Sequence, residues 1–132
     1  MIRADSQTIK FQTIFTNGEH VSTADTSRDK GGANLGFRPH ELLEAALANC
    51  MNMYLRMYAE IHNIAISGVS VTVTLDRSRP GDPVFEYSVD IRGDIHPEQK
   101  RKMLKALDAC PVRTILSNPA RCIERQTEPL SK

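Results

Sequence analysis

Apolar and polar residues alternate along four stretches of the chain, and each stretch predicts a β-strand. The first runs from Gln7 to Thr16, and Asn17-Gly18 after it favours a two-residue type I′ hairpin turn. The returning strand is then predicted over Glu19–Asp25. Two later stretches, Ile66–Asp76 and Val84–Arg92, repeat the alternation on either side of a turn rich in proline and glycine. The pattern therefore predicts two β-hairpins.

Between the hairpins the spacing changes to that of a helix. Pro39 is well placed to begin it, and the helix is predicted to continue to Asn63. Its middle is apolar on most sides, which is typical of a central helix buried by several neighbours. A further helix is predicted from Pro97, and Pro111 must break or restart it, because an interior proline costs about 3 kcal/mol. A short helix to Ser117 and a last strand near Ala120 to Thr127 complete the chain.

The predicted order is β-β-α-β-β-α-α-β. Because the strands come in hairpins and not in βαβ units, the fold class is α+β, with antiparallel sheets around a long central helix. The length of 132 residues predicts a single domain over residues 1–132. One long apolar helix against two small sheets leaves much of its surface uncovered in a monomer. We therefore expect a homodimer.

Composition excludes several classes of function. A net charge of +1 with mixed signs along the chain gives no basis for binding nucleic acid or acidic lipid. We expect no signal peptide and no membrane span, since long apolar runs are absent from the sequence. Three cysteines without a CxxC pair favour a reducing cytoplasm over a disulfide framework or zinc ribbon. No metal or cofactor motif is present, and the histidines stand far apart: His20, His40, His62 and His96.

Cys50 lies in the middle of the long predicted helix. Its neighbours at helical spacing are apolar or nearly so: Leu43, Ala46, Leu47, Met53, Tyr54 and Met57. Such surroundings suit a small core residue, and they disfavour a thiolate unless a positive group reaches the sulfur. Since no lysine or arginine lies within one turn on this face, the cation must come from elsewhere. The best source is the loop that carries Arg28, Lys30 and Arg38.

Cys110 directly precedes Pro111 and is therefore expected at or near the N-cap of the helix over 111–117. Free N–H groups and the helix dipole favour a thiolate at such a position. A buried cysteine at a helix kink is an equally good interpretation. Cys122, on the predicted last strand, shows neither feature and is interpreted as structural.

Several short motifs together resemble the OsmC/Ohr superfamily, the osmotically induced and organic hydroperoxide resistance proteins. They are Gly31-Gly32, Pro39-His40-Glu41-Leu42-Leu43, Ala45-Ala46-Leu47-Ala48-Asn49-Cys50 and Ala109-Cys110-Pro111-Val112. The resemblance covers nearly the whole chain and implies an OsmC-like fold and an intertwined homodimer with two active sites at the subunit interface. It also implies a cofactor-free thiol peroxidase that reduces hydroperoxides. Cys50 attacks the peroxide, Cys110 resolves the sulfenic acid as a disulfide, and an external dithiol restores both thiols.

The resemblance also assigns possible activating groups. Family peroxidases typically place a glutamate ten residues before the attacking cysteine, paired with an arginine; here His40 occupies that position and Glu41 follows it. Arg28 and Arg38 are candidates for the arginine. Two alternatives stay open: a related dimer that binds a small apolar ligand or senses redox state, and a structural dimer whose cysteines only pack.

Overall fold

The computed structural model describes residues 1–125 of the chain. Its first element is a three-stranded antiparallel sheet made of β1 (Arg3–Ser6), β2 (Thr13–Thr16) and β3 (Val21–Ala24), with β2 in the middle. The second hairpin, which follows a long helix, is a separate sheet. These two sheets confirm the antiparallel α+β class.

The prediction for the first strand was wrong over residues 7–12. Those residues form the connection between β1 and β2, closed by hydrogen bonds from Gln7 N–H to Gln12 O (3.0 Å) and from Gln12 N–H to Ile9 O (3.1 Å). Phe11 has φ 67°, which no strand allows. The alternation of Ile9 and Phe11 therefore does not reflect pairing. The true first strand, β1, escaped prediction because all four of its residues are exposed and carry no apolar alternation.

The turn after β2 is also longer than predicted. Because Thr16 pairs with Val21, four residues form the loop, in place of the two of a type I′ turn. The Asn17 side-chain oxygen accepts the N–H groups of Glu19 (2.9 Å) and His20 (2.8 Å), and Gly18 takes φ 104°. Asn17 thus closes the loop with its side chain.

The central helix α1 spans Pro39–Ile61, close to its predicted bounds. It packs against β4 (Gly68–Asp76), which pairs along its full length with β5 (Val84–Arg92). Two polar side chains of the helix tie it to β4: Glu44 Oε2 accepts the Leu75 N–H (2.9 Å), and Asn52 Nδ2 donates to the Val69 carbonyl (2.8 Å). These two bonds hold α1 against β4.

The chain then forms α2 (Pro97–Ala106), a 3-10 turn (Leu107–Ala109) and α3 (Pro111–Ser117), all in contact with α1. The core lies where these elements meet. Each fully buried leucine or methionine there contributes about 1.5–3 kcal/mol. Its buried members are Leu47, Met51, Leu55, Ala59, Ile91, Met103, Leu107 and Cys110.

Both ends of the described range, residues 1–125, stand apart from this core. No residue before Leu47 belongs to the core cluster of the described chain. The predicted last strand is absent over residues 120–125, and its remaining residues, 126 and 127, lie outside the described range. Within residues 1–125, no helix is long and apolar enough to cross a membrane.

Candidate redox site

The fold brings Cys50 and Cys110 together, although sixty residues separate them in the chain. The Cys110 thiol donates a hydrogen bond to the Cys50 sulfur, with the two Sγ atoms 3.1 Å apart. Reacting atoms held at about 3–3.5 Å are close to an attack geometry. The two thiols are therefore placed to exchange a bond with little backbone movement.

Packing of three elements produces this contact. Cys50 follows Leu47 by about one turn of α1, Met51 beside it is a fully buried member of the core, and α1 contacts both the 3-10 turn and α3. Cys110 joins the turn to α3 and is the N-cap residue of α3, as predicted. Its N–H donates to Leu107 O (3.0 Å), and its carbonyl accepts the Thr114 N–H (3.0 Å). The backbone around Cys110 is thus held from both sides.

Cys110 is completely buried, with 0 % of its surface exposed. Burial raises the pKa of its thiol above the usual value, and the neighbouring Cys50 raises the pKa further. The backbone N–H groups of Arg113 and Val112 face the sulfur and act in the opposite direction. Since burial dominates, Cys110 keeps its proton and acts as a hydrogen-bond donor to Cys50.

Cys50 is half-buried and borders an exposed apolar stripe of α1. With Cys50 counted between Ala46 and Met53, these positions recur every three or four residues, so they share one face of the helix. The exposed members are Leu43, Ala46, Met53, Met57 and Ile61. Cys50 therefore has access from outside the core, which Cys110 lacks.

The candidate activating residues lie at the start of α1 or in the loop before it. Arg38 and Glu41 form an ion pair at the start of α1: Glu41 Oε1 accepts both the Arg38 N–H (3.0 Å) and Nε (2.9 Å). These bonds from Arg38 hold the pKa of Glu41 below its usual value. Arg38 lies twelve residues before Cys50, or about 18 Å along a regular helix axis. Arg28 lies in an exposed 3-10 turn, Arg28–Lys30.

His40 also lies at the start of α1, ten residues and about 15 Å from Cys50 along the axis. Burial lowers the pKa of its imidazole, and the positive charges of Arg77 and Arg38 lower it further, against a smaller opposite effect of Glu44. His40 is therefore neutral near pH 7 and cannot replace a carboxylate by charge.

A buried carboxylate, which sequence reasoning missed, organises the loop before α1. Asp25 is 3 % exposed and accepts the backbone N–H groups of Thr26 (2.7 Å), Ala33 (3.2 Å) and Leu35 (3.1 Å). These bonds hold the pKa of the Asp25 carboxyl below its usual value, and the bond from the Leu35 N–H has the largest effect. Gly32 approaches the Thr26 carbonyl so closely that a Cβ would collide with it. In the sequence, Asp25 stands directly before Thr26-Ser27, and Gly31-Gly32 follows in the same loop. These turn-forming residues are the pattern from which the loop could have been predicted.

Two clefts lie beside elements that carry candidate residues, and neither includes a cysteine in its wall. One, of about 610 Å³, lies between β3 and residues 34–37 and ends at Glu41. The other, of about 310 Å³, lies between β5 and α3 and is lined by Leu47 and Arg113. No cluster of three or more histidine, cysteine or acidic side chains in residues 1–125 could hold a metal ion.

Comparison with known protein families shows to which family the chain belongs. The family model for OsmC-like proteins matches residues 31–124, which include both cysteines and all of α1. The chain belongs to the OsmC-like family. No curated protein matches it at a significant level.

Solved structures of OsmC-like proteins share its fold. An osmotic stress induced and detoxification response protein of Psychrobacter arcticus, so named provisionally, has 19% identity and TM-score 0.74, over 86% of this chain and 85% of that one. The organic hydroperoxide resistance protein OsmC of Legionella pneumophila has 22% identity and TM-score 0.64, over 88% and 87%. The organic hydroperoxide resistance protein OhrB of Bacillus subtilis has 20% identity and TM-score 0.58, over 89% and 90%. At these identities the likeness establishes the fold.

Proposed function

We propose that this OsmC-like protein is a thiol-dependent reductase of organic hydroperoxides that acts in stress defence in the cytoplasm. The observation that carries the proposal is the 3.1 Å separation of the Cys50 and Cys110 sulfurs, one half-buried and the other fully buried. The names of two structural relatives, both organic hydroperoxide resistance proteins, support the substrate class.

The unequal exposure of the thiols supports a different role for each. Cys50, the accessible thiol, attacks the peroxide: its thiolate sulfur takes the terminal oxygen, the O–O bond breaks, and the alkoxide leaves as an alcohol after taking up a proton. The Cys110 S–H stabilises the Cys50 thiolate by donating a hydrogen bond to it. Cys110 then attacks the resulting sulfenic sulfur, the S–O bond breaks, and water leaves. An external dithiol reduces the disulfide by two thiol exchanges.

A homodimer is part of the proposal, because the chain by itself leaves apolar surface uncovered. The stripe of α1 that borders Cys50 is exposed along the whole helix. The β1–β3 sheet lies apart from the core, and apolar side chains such as Val21, Leu35 and Phe37 are exposed on it and on the adjoining loop. A second copy that covers the α1 stripe would also enclose the accessible side of Cys50.

The activating cation then comes from the partner subunit. We favour Arg38 over Arg28, since Glu41 already holds the Arg38 guanidinium in one orientation, whereas Arg28 lies in an exposed turn. A guanidinium beside the Cys50 sulfur would stabilise its thiolate. In this arrangement Glu41 orients the arginine, and the neutral His40 packs beside the pair without bearing charge.

Peroxide turnover tests the reaction. With cumene hydroperoxide and dithiothreitol, we expect wild type and Cys122→Ser to consume peroxide, and Cys50→Ser to show none above the reductant alone. In a separate reaction without dithiothreitol, Cys110→Ser should lose one equivalent of reactive thiol per chain but form no internal disulfide. Peroxide consumption by Cys50→Ser at the wild-type rate would overturn the proposal.

Hybrid dimers test the origin of the cation. Cys50→Ser and Arg38→Gln are each expected to be nearly inactive. If Arg38 acts across the interface, mixing and refolding them should restore about a quarter of wild-type activity, because half of the dimers are hybrids with one complete site each. If Arg38 acts within its own chain, the mixture stays inactive. Arg28→Gln, treated identically, is the matched control and should remain active alone.

A further inference from the structure

An ion pair spans the short connection that carries Cys110. Asp108 precedes the cysteine by two residues, Arg113 follows it by three, and Arg113 Nη1 lies 3.2 Å from Asp108 Oδ1. We propose that Asp108 and Arg113 are positioning residues that keep the Cys110 sulfur against Cys50 and thereby speed disulfide formation. This inference rests on the proposed peroxidase function and concerns only its second step.

Arg113 reaches the thiol through its backbone and reaches the preceding turn through its side chain. Its N–H faces the Cys110 sulfur. Its guanidinium holds Asp108, which belongs to the 3-10 turn on the other side of the cysteine. The ion pair therefore joins the turn to α3 across Cys110 itself. Any displacement of α3 from the turn would move the sulfur, and the ion pair opposes that displacement.

The pair matters most after the peroxide has reacted. In the reduced protein the thiol–thiol hydrogen bond also holds the two sulfurs together. Once the Cys50 sulfur carries a hydroxyl group, it is a weaker hydrogen-bond acceptor than the thiolate, and the position of Cys110 depends more on the connection around it. The disulfide requires the sulfurs to approach from 3.1 Å to about 2.05 Å. In that step Cys110 sulfur bonds to Cys50 sulfur, the S–O bond breaks, and the hydroxyl leaves as water with the Cys110 proton.

The size of the effect is limited by exposure. The Arg113 side chain is 34% exposed and that of Asp108 is 67% exposed. Ion pairs of this kind carry little energy, so we expect disulfide formation to slow by about two- to fivefold when the pair is removed. Salt screens such pairs, so high ionic strength should slow the step in wild type by a similar factor.

The test separates the two chemical steps in a Cys122→Ser background. One equivalent of cumene hydroperoxide is mixed with reduced protein, and quenched samples are analysed by mass spectrometry for dimedone-trapped sulfenic acid and for disulfide. Arg113→Gln and Asp108→Asn should form sulfenic acid at the wild-type rate, which also shows that they are folded. Both should form disulfide about two to five times more slowly.

Two further variants show whether charge is the cause. Exchange of the pair, Asp108→Arg with Arg113→Asp, should restore the rate, and the salt dependence should disappear in both single variants. Arg101→Gln removes a comparable ion pair, with Glu98 on α2, and should change nothing. Disulfide formation at the wild-type rate in Arg113→Gln would overturn this inference but not the peroxidase function. The same holds if disulfide formation is slower but neither charge exchange nor salt changes its rate. Absence of sulfenic acid in wild type would overturn the peroxidase function with it.

Discussion

Oxidation of Cys50 and Cys110 to a disulfide should make the folded protein markedly more stable. The bond would close a loop of 60 residues. In the chain-entropy treatment, a loop of that length lowers the entropy of the unfolded chain by about 14 cal/mol/K, which corresponds to about 4 kcal/mol at 25 °C. For a chain of 132 residues this raises Tm by about 15 °C. Since the sulfurs already lie 3.1 Å apart, native strain should remove only part of this gain.

Thermal and urea unfolding of the oxidised and reduced forms measures the difference. Both forms are compared at one protein concentration, because dissociation of a dimer contributes to Tm. Cys122→Ser serves as the background, and Cys110→Ser treated with the same peroxide is the control that cannot form the bond. By thermodynamic linkage, a stabilisation of about 4 kcal/mol makes the native disulfide about 90 mV more reducing than the same bond in the unfolded chain. An oxidised form no more stable than the reduced form would contradict this prediction.

Two other predictions concern the fold. Met103→Ala should lower the free energy of unfolding by about 2–5 kcal/mol, since the Met103 side chain is fully buried. Leu104→Ala, beside it on α2, should lower it far less, because the Leu104 side chain is exposed. Urea denaturation of both variants measures the difference. Asp25→Asn should lower the free energy of unfolding, because three backbone N–H groups lose their charged acceptor. As the pKa of Asp25 is lowered by folding, its contribution is present above the unfolded pKa of about 3.9 and is lost as pH falls through the folded pKa. Wild type should therefore lose more stability than Asp25→Asn on acidification below pH 4, and parallel losses would contradict this assignment.

Local patterns predicted the central elements well. Pro39 marks the beginning of α1, and the alternation over residues 84–92 gives β5 at its observed bounds. Pro111 restarts the chain as a separate helix with Cys110 as its N-cap. Each of these features depends on residues within a few positions, so the sequence carries the complete signal.

The N-terminal sheet could not be predicted in the same way. Ile9 and Phe11 alternate with polar residues yet lie in a loop, while exposed β1 has no alternation. Strand pairing there depends on the partner strand and on surface that lies outside the core. Asp25 shows the same limit, since its three N–H donors extend over ten residues of loop and only the folded loop directs them to one carboxylate.

The sequence by itself determined that two cysteines occur in different helical settings, one within a long apolar helix and the other at a helix start. It could not determine their separation, their exposure or which thiol keeps its proton, since those depend on how α1 packs against α3 across sixty residues of chain. The tertiary structure decided these points: the sulfurs lie 3.1 Å apart, Cys110 is sealed in the core, and Cys50 borders an open apolar stripe. It also placed Arg38 directly before α1, about 18 Å along the helix axis from Cys50. The physical reason is the same throughout: local sequence selects the elements, and only packing brings distant side chains together.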